Sequence, residues 1–344
     1  MTTGVVLLGL AAAPITVLAS SSQWAGPAHA QAASGGKQEI LLVSYAVTKA
    51  AYDRIIPLFE ADWKKKTGQT VNIRSSFGGS GSQTRAVIDG LEADVVGLAL
   101  AADVYKLQDK GLVDVGWERK FANRSIITNS VVATFIRPGN PKKINSWNDL
   151  DNPNVDVITA NPKTSGGARW NFVGLWGSVT ESGGDDAKAR KFINSVYKNV
   201  EVLPKDAREA TDTFVKRRKG DVLLNYENEA ILARNSGEWT GPVKIFSPNI
   251  LIEGPIAVVD KNVNKHGTRK LAEAFARFLY TPRAQKIFVD AGFRPVTIEG
   301  KAYAKGKFPE VTTWRITKLG GWQTVDKRFF NRGGIWDQIF SQTR

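Results

Sequence analysis

The alternation of strand-like and helix-like segments constrains the fold of this 344-residue chain more than any other feature. The apolar run "ILLVS" at 40–44 precedes a stretch in which four large residues recur at helical spacing: Tyr52, Ile55, Phe59 and Trp63. A strand pattern "VNIRS", a helical "GSQTRAVIDGLE" and the apolar run "ADVVGLALA" come next. Such an unbroken run is typical of a strand that is buried on both faces. The β-α-β-α-β order predicts an α/β fold with parallel strands and right-handed crossovers.

A second series of the same kind lies further along the chain. Strands are predicted within "NSVVATFIRPGNP", "VDVITANP" and "DVLLNYENEA", with helices at "DDAKARKFINSVYKNV" and "DAREATDTFVKRRKG". The segment "GPIAVVD" then predicts a further strand. The amphipathic stretch that follows it is predicted to form one or two helices, with a break at Pro282.

Two α/β series of similar size predict two lobes with a cleft between them. We expect lobe one to comprise residues 38–120 plus 255–295, and lobe two to comprise residues 121–254. Residues 296–344 are expected to pack on the lobes as a C-terminal segment. Open α/β sheets bind ligands beyond the carboxyl ends of their strands, which directs attention to the loops after each strand.

The N-terminal region has the pattern of an export signal. The first 36 residues carry no Asp, Glu, Lys or Arg, and the apolar run "VVLLGLAAAPITVLA" precedes "AHA" at 28–30. An apolar run followed by an A-x-A site is typical of a secretory signal peptide, so we expect residues 1–30 to be removed on export. The run contains Pro14 and is too short for a stable membrane span.

Residue counts limit the chemistry that is available. The chain has no Cys, which excludes disulfides, thiol nucleophiles and cysteine zinc sites. Its two His are His29 and His266, so a clustered His metal site cannot form and a Ser-His-Asp triad would have to use His266. We therefore expect neither a metal nor a cofactor.

The charge balance favours anionic partners. Lys and Arg number 47 against 33 Asp and Glu, which gives a net charge of +14. Such a chain attracts anions of any size. The basic runs "WKKKTG" and "KRRKG" each end a predicted helix, where the helix dipole favours cations. We interpret them as solvated helix ends and predict no nucleic-acid partner.

Three loops that lead into a predicted helix carry small side chains. They are "SSFGGSGSQTRAV" with Gly79 and Ser80, "NPKTSGGARW" with Ser165, Gly166 and Gly167, and "LPKDAREATDTF" with Ala207. The first N–H groups of a helix have no partner within the helix and attract anions. Small residues would leave room for a tetrahedral oxyanion, and Ser would add a hydroxyl donor.

Other interpretations of these loops are a flexible linker for "GGSGS" and a tight turn for "TSGGAR". The first is disfavoured because an apolar-patterned strand and helix enclose the segment. Neither loop matches G-x-x-x-x-G-K-[ST] or G-x-G-x-x-G, so nucleotide binding has little support.

Several longer stretches are more specific. They include "VSYAVTKAAY", "LEADVVGLALAADV", "NPKTSGGARWNFVGLWG", "GDVLLNYENEA", "GPIAVVDKNV" and "GGIWDQI". With them the chain resembles the sulfate-binding proteins of bacterial ABC transporters, from about Glu39 to the C-terminus. The resemblance implies a two-lobed periplasmic binding protein of type II, in which each lobe is a mainly parallel sheet flanked by helices. It also implies a periplasmic, monomeric, non-enzymatic protein that captures sulfate in the interlobe cleft and delivers it to a membrane permease.

The resemblance also implies roles for individual residues. Ser80, next to Gly79, would donate its hydroxyl and its backbone N–H to the anion, and Ala207 would donate an N–H. N–H donors from the second lobe would be Ser165, Gly166 and Gly167. The family has a Trp before "ENEA", where this chain has Tyr226, and an Asp after "VSY", where this chain has Ala46.

These two departures bear on selectivity. Neutral donors suit a fully deprotonated anion, whereas phosphate needs an acceptor for its O–H, and Ala46 offers none. Glu227 or Asp206 could supply one, so phosphate is disfavoured rather than excluded. Alternative cargoes are thiosulfate, molybdate and tungstate, or ferric ion held by Tyr45 and Tyr226. A secreted hydrolase of sulfate or phosphate esters is the alternative from another functional class.

Overall fold

The computed structural model describes residues 38–343, so the predicted signal peptide at 1–30 lies outside the described residues. The strands are β1 (Gln38–Tyr45), β2 (Val71–Gly78), β3 (Val95–Gly97), β4 (Ile126–Ser130), β5 (Val132–Ile136), β6 (Val157–Ile158), β7 (Val222–Tyr226), β8 (Val243–Lys244), β9 (Asn249–Ile250), β10 (Ile252–Val258) and β11 (Thr313–Trp314). The helices are α1 (Lys49–Thr67), α2 (Ser80–Ile88), α3 (Ala101–Asp109), α4 (Gly166–Thr180), α5 (Asp186–Lys198), α6 (Ala207–Val215), α7 (Glu227–Asn235), α8 (Asp260–His266), α9 (Arg269–Phe278), α10 (Pro282–Asp290), α11 (Ile298–Tyr303), α12 (Gly321–Val325) and α13 (Ile335–Gln342).

Two mixed sheets organise the strands. The first has the order β2-β1-β3-β10-β4, with β1 parallel to β2 and β3 and with β10 antiparallel to β3 and β4. The second has the order β6-β7-β5-β8, with β6 parallel to β7 and with β5 antiparallel to β7 and β8. A short parallel pair, β9 with β11, joins the C-terminal region to the segment before β10. Helices flank both sheets, which confirms the predicted α/β class.

The strand predicted within 129–141 is in fact two strands. β4 pairs in the first sheet and β5 in the second, with Val131 between them, so the chain crosses from one sheet to the other here. An apolar run does not reveal this crossing, because it looks the same whether its two halves pair in one sheet or in two. The lobe boundaries stay a prediction; β4, which they assign to lobe two, lies beside β10 in the first sheet.

Another predicted strand is shorter than its apolar run. In "ADVVGLALA" only β3 is extended, and the chain enters α3 at Ala101, a helix that the sequence patterns did not predict. Both segments are buried, and a buried strand and a buried helix have the same apolar signature.

Local signals account for most helix boundaries. Gly68 ends α1 with φ 74°, in the left-handed region that glycine adopts readily. The Asp185 side chain caps α5 by accepting from the Lys188 N–H at 2.8 Å. Pro282 is the first residue of α10, so the amphipathic stretch forms two helices as the break predicted.

The core is densest around α4, which is buried on nearly all sides. A helix that is apolar all round must be enclosed, and the C-terminal segment supplies part of the enclosure. Its rings pack edge-on against those of α4: Trp322 against Trp170 at 4.5 Å between centroids, and Phe329 against Trp176 at 4.8 Å. Within residues 38–343 the helices are too short or too polar for any of them to span a membrane.

The contact between α4 and β11 generates a stability prediction. A Cβ at Gly177 would lie 1.9 Å from Cζ2 of Trp314, a buried side chain. Gly177→Ala should therefore destabilise the fold by about 1–3 kcal/mol through overpacking, even though Ala is the better helix former. Urea unfolding of the variant tests this. Adding Trp314→Leu should restore part of the lost stability, and a Gly177→Ala protein more stable than wild type would contradict the prediction.

Candidate functional site

A small cavity lies beyond the carboxyl ends of β1, β2 and β7 and beside the starts of α2, α4 and α6. We call it the central cavity. Its volume is about 10 Å³, so it can hold at most one small ion. Its lining residues are Tyr45, Ala46, Val47, Gly78, Gly79, Ser80, Ala99, Ser165, Gly166, Gly167, Asp206, Ala207 and Tyr226. All eight residues singled out in the sequence are therefore brought together at one place.

Three helices begin at the central cavity. The N-cap side chains of α4 and α6, Ser165 and Asp206, accept from the third residue of each helix, Ala168 at 3.3 Å and Glu209 at 2.9 Å. These caps leave the N–H groups of the first helical residues without an intrahelical partner. Together the three helix starts place several partial positive charges around one space. The arrangement favours an anion.

The glycines at the cavity permit close contact between its walls. A Cβ at Gly79 would lie 2.6 Å from the Thr164 carbonyl oxygen, and one at Gly166 would lie 2.5 Å from Cβ of Ala99. A Cβ at Gly167 would lie 2.6 Å from Cε2 of Tyr226. The expectation that small residues leave room for the ion was therefore incomplete, because these glycines face neighbouring protein atoms.

The two serines offer different groups from those expected. Ser80 donates its hydroxyl to Oδ2 of Asp103 at 2.6 Å and accepts from the Ala99 N–H at 3.0 Å. Its hydroxyl is thus engaged within the protein, and its backbone N–H is the group it offers to the cavity. Ser165 differs, because its N–H donates to the Asn161 carbonyl at 2.8 Å while its hydroxyl accepts from Ala168. The hydroxyl proton of Ser165 is left to donate.

Tyr226 brings a phenol to the cavity wall. Its hydroxyl is buried and has no hydrogen-bond partner among residues 38–343. Burial, with smaller contributions from Tyr45, Asp103 and Glu229, raises the pKa of Tyr226 well above its ordinary value, so the group stays a protonated donor. A buried donor without an acceptor is costly, and an anion in the cavity would satisfy it.

A buried ion-pair network lies directly behind Ser80, and the sequence did not point to it. Asp103 accepts from the Ser80 hydroxyl and from Nη1 of Arg169 at 2.8 Å, and Arg169 also approaches Asp326 at 3.5 Å. The sequence contained one signal of this network, because Arg169 lies in an otherwise apolar helix pattern and a buried charge requires a partner. Asp103 is 66 positions from Arg169 in the sequence, so only the fold shows that it is the partner.

A second buried carboxylate lies behind Ala207. Glu229 accepts from the Thr211 hydroxyl at 2.6 Å and lies 2.7 Å from Nη2 of Arg208. Burial raises the pKa of Glu229 to about 7, against the opposing effects of Arg208 and Thr211. The Asn225 side chain, in β7, donates to the Ala207 carbonyl at 2.7 Å and so connects this strand to the start of α6. Arg208 is thus the ion-pair partner of this buried carboxylate.

His266, the histidine that a catalytic triad would need, lies away from the central cavity. His266 ends α8 rather than lying in a loop, and its ring nitrogens contact Asp94 at 2.9 Å and Glu92 at 3.0 Å. None of these three residues lines the central cavity. Across residues 38–343, no group of three or more His, Asp or Glu side chains is placed to hold a metal ion.

Comparison with known proteins gives four consistent matches. Residues 40–294 match the family model described as bacterial extracellular solute-binding protein. The chain is 52% identical to the sulfate-binding protein of Synechococcus elongatus, over 97% of this chain and 95% of that protein. It is 40% identical to the thiosulfate-binding protein of Escherichia coli, over 89% and 92% of the two chains. The solved sulfate-binding protein SubI from Mycobacterium tuberculosis superposes with a TM-score of 0.77 at 37% identity, over 86% of this chain and 100% of that one.

The raised pKa of Glu229 generates a prediction about stability and pH. The folded protein favours the protonated carboxyl of Glu229. The stabilisation that this carboxyl gives to the fold is therefore fully present below its ordinary pKa of 4.5, and it is lost as the pH rises through about 7. Relative to Glu229→Gln, wild type should lose about 3 kcal/mol of unfolding free energy over this window, at about 1.4 kcal/mol per pH unit. Urea unfolding at several pH values measures the difference.

The exposed carboxyl of Glu310 provides a matched control for this experiment. Glu310→Gln should follow the wild-type pH profile, because its carboxyl lies at the surface. Parallel profiles for wild type and Glu229→Gln would contradict the prediction.

Proposed function

This chain belongs to the bacterial extracellular solute-binding proteins, and we propose that it captures sulfate in the central cavity and delivers it to the permease of an ABC transporter. One observation carries the proposal: the starts of α2, α4 and α6 meet at a cavity with room for a small ion. The sulfate-binding protein of Synechococcus elongatus, at 52% identity, supports the choice of cargo.

The character of the donors favours a fully ionised oxyanion. The lining includes no Lys, Arg or His, so a dianion would be held by backbone N–H groups and neutral hydroxyls. Dipolar donors stabilise the ion without the desolvation of a second full charge. The lining carboxyl, Asp206, is already engaged as the cap of α6. A protonated phosphate would have to find an acceptor for its O–H here.

The proposed contacts divide between backbone and side chains. Backbone N–H groups would come from the first helical residues, Ser80, Gly166, Gly167 and Ala207. Hydroxyls would come from Ser165 and Tyr226, whose protons have no acceptor among the described residues. Ala46 and Gly79 would form the wall of the cavity without contributing a side-chain donor.

We also propose that capture uses closure of the two lobes, with the boundaries stated above. One connection supports this idea, because β4 of the first sheet continues into β5 of the second with one residue between them. Such crossings are places where a hinge can absorb backbone rotation. We expect a monomeric protein that is exported to the periplasm and catalyses no covalent step.

Thiosulfate is the second candidate cargo. The methyl group of Ala46 leaves space at the cavity wall that a larger side chain would fill, and thiosulfate is larger than sulfate. The thiosulfate-binding protein of Escherichia coli is 40% identical to this chain. An ester hydrolase has less support, because His266 is held by Glu92 and Asp94 and does not line the cavity.

Titration calorimetry tests the cargo directly. Sulfate should bind tightly in a one-to-one complex and phosphate far more weakly, because the cavity supplies mainly donors and its one carboxylate, Asp206, already accepts the Glu209 N–H. Thiosulfate, molybdate and tungstate belong in the same competition series. Equal affinities for sulfate and phosphate would contradict the selectivity, and an absence of binding to every oxyanion would contradict the proposed function.

Tyr226 gives the sharpest mutational test of the site. Tyr226→Phe should weaken sulfate binding by about 1–3 kcal/mol, because a hydrogen bond to a charged acceptor is lost. Tyr197→Phe is the matched control, since the Tyr197 hydroxyl is also buried without a partner but lies outside the cavity lining. Calorimetry on both variants measures the difference. Equal affinities for the two variants would exclude Tyr226 as a donor to the ion.

A further inference from the structure

Thr164 lies where the loops that lead into α2, α4 and α6 meet, although it does not line the central cavity. It immediately precedes Ser165, the cap of α4. Its hydrogen bonds reach the start of α2 in one direction and the segment before α6 in the other. One partly buried residue therefore contacts all three elements whose N–H groups face the proposed anion.

The carbonyl of Thr164 caps α2. The N-cap residue of this helix is Gly79, which has no side chain to accept a hydrogen bond. The N–H groups of Gly81 and Ser82 donate instead to the Thr164 carbonyl, at 3.0 and 3.3 Å. Because α2 follows β2 of the first sheet and Thr164 follows β6 of the second, this cap joins the two sheets. It takes up the second and third N–H groups of α2 and leaves the first, that of Ser80, to the cavity.

The hydroxyl of Thr164 holds the segment before α6. It lies 2.6 Å from the Lys205 carbonyl and 3.3 Å from the Asn161 carbonyl of its own loop. A hydroxyl has one proton, and the shorter contact takes it. Lys205 immediately precedes Asp206, the cap of α6, and Ala207, whose N–H is a proposed donor to the anion. The hydroxyl thus links the cap of α4 to the cap of α6.

The three segments are packed closely around this residue. A Cβ at Gly79 would lie 2.6 Å from the Thr164 carbonyl oxygen and 3.1 Å from the Lys205 carbonyl oxygen. A Cβ at Gly81 would lie 3.2 Å from the Thr164 carbonyl oxygen. The two glycines of α2 and its N-cap therefore permit the approach that the Thr164 carbonyl needs in order to cap the helix.

We infer, on the basis of the proposed function, that Thr164 is a positioning residue for anion binding. Its carbonyl and hydroxyl hold the starts of α2, α4 and α6 at the separation at which their free N–H groups converge, while Thr164 itself does not contact the ion. The partial charge of a helix start acts over a short range, so a small displacement of one start weakens its contact with the ion. Donors that are already in place also bind more tightly, because less free energy is spent on ordering them.

Thr164→Val tests the inference, because valine keeps the shape and the carbonyl of threonine and removes only the hydroxyl. Sulfate affinity should fall roughly five-fold, the effect of one hydrogen bond that no longer holds the start of α6. Thr164→Ser retains the hydroxyl and should bind sulfate nearly as tightly as wild type. Titration calorimetry measures both affinities, and urea unfolding of each variant verifies that it is folded.

The amide proton resonances of isotope-labelled protein give a readout that a merely structural role would not move. On saturation with sulfate, the amide protons of Ser80, Gly166 and Ala207 should shift downfield in wild type as they donate to the ion. In Thr164→Val the shift of Ala207 should shrink, while that of Ser80 should persist because the carbonyl cap of α2 is unchanged. Equal losses at all three amides would contradict a role in placing α6.

Thr281→Val is the matched control. The Thr281 hydroxyl is also partly buried and donates to a backbone carbonyl, that of Phe278 at 2.7 Å, but it caps α10 and does not line the central cavity. This variant should lose stability and keep the wild-type affinity for sulfate. Wild-type affinity in Thr164→Val, or an equal loss of affinity in Thr281→Val, would overturn the inference. Failure of the wild-type protein to bind sulfate would refute the proposed function and the role of Thr164 together.

Discussion

Unpaired backbone N–H groups at three helix starts are the interaction on which the rest of the site depends. The caps Ser165 and Asp206 take up the third N–H of their helices and leave the earlier ones to face the cavity. The glycines serve the same arrangement, since Gly79 and Gly166 allow the segments to approach until their N–H groups converge. A partial charge at a helix start acts over a short range, so the geometry has to be this close.

Apart from Asp206, which caps α6, the full charges near the site are held behind the cavity wall or outside it. Asp103 and Arg169 neutralise each other beneath Ser80, and Glu229 pairs with Arg208 beneath Ala207. Removing one partner of such a pair would leave the other as an uncompensated buried charge, which is costly. The cavity itself is left to neutral donors. This separation lets an ion exchange its water for neutral dipoles rather than for buried full charges.

Much of the fold was predictable from local patterns, and the exceptions have a common cause. The periodicity that predicted α1 and α5 corresponds to buried faces. The division of 129–141 into β4 and β5 was not visible, nor was the start of α3 inside an apolar run. In both cases most of the residues are buried, and burial removes the periodicity that distinguishes one element from another.

For the site, the sequence alone determined which residue types could face an anion, because small residues before a helical pattern leave backbone N–H groups unpaired whatever the rest of the chain does. Which atoms remain free was decided by the tertiary structure. Asp103, distant in sequence, takes the hydroxyl of Ser80, and the Asn161 carbonyl takes the N–H of Ser165, so the two serines offer opposite groups. A hydrogen-bond donor can be assigned only when its nearest acceptor is known, and here the acceptors were set by the packing of separate segments.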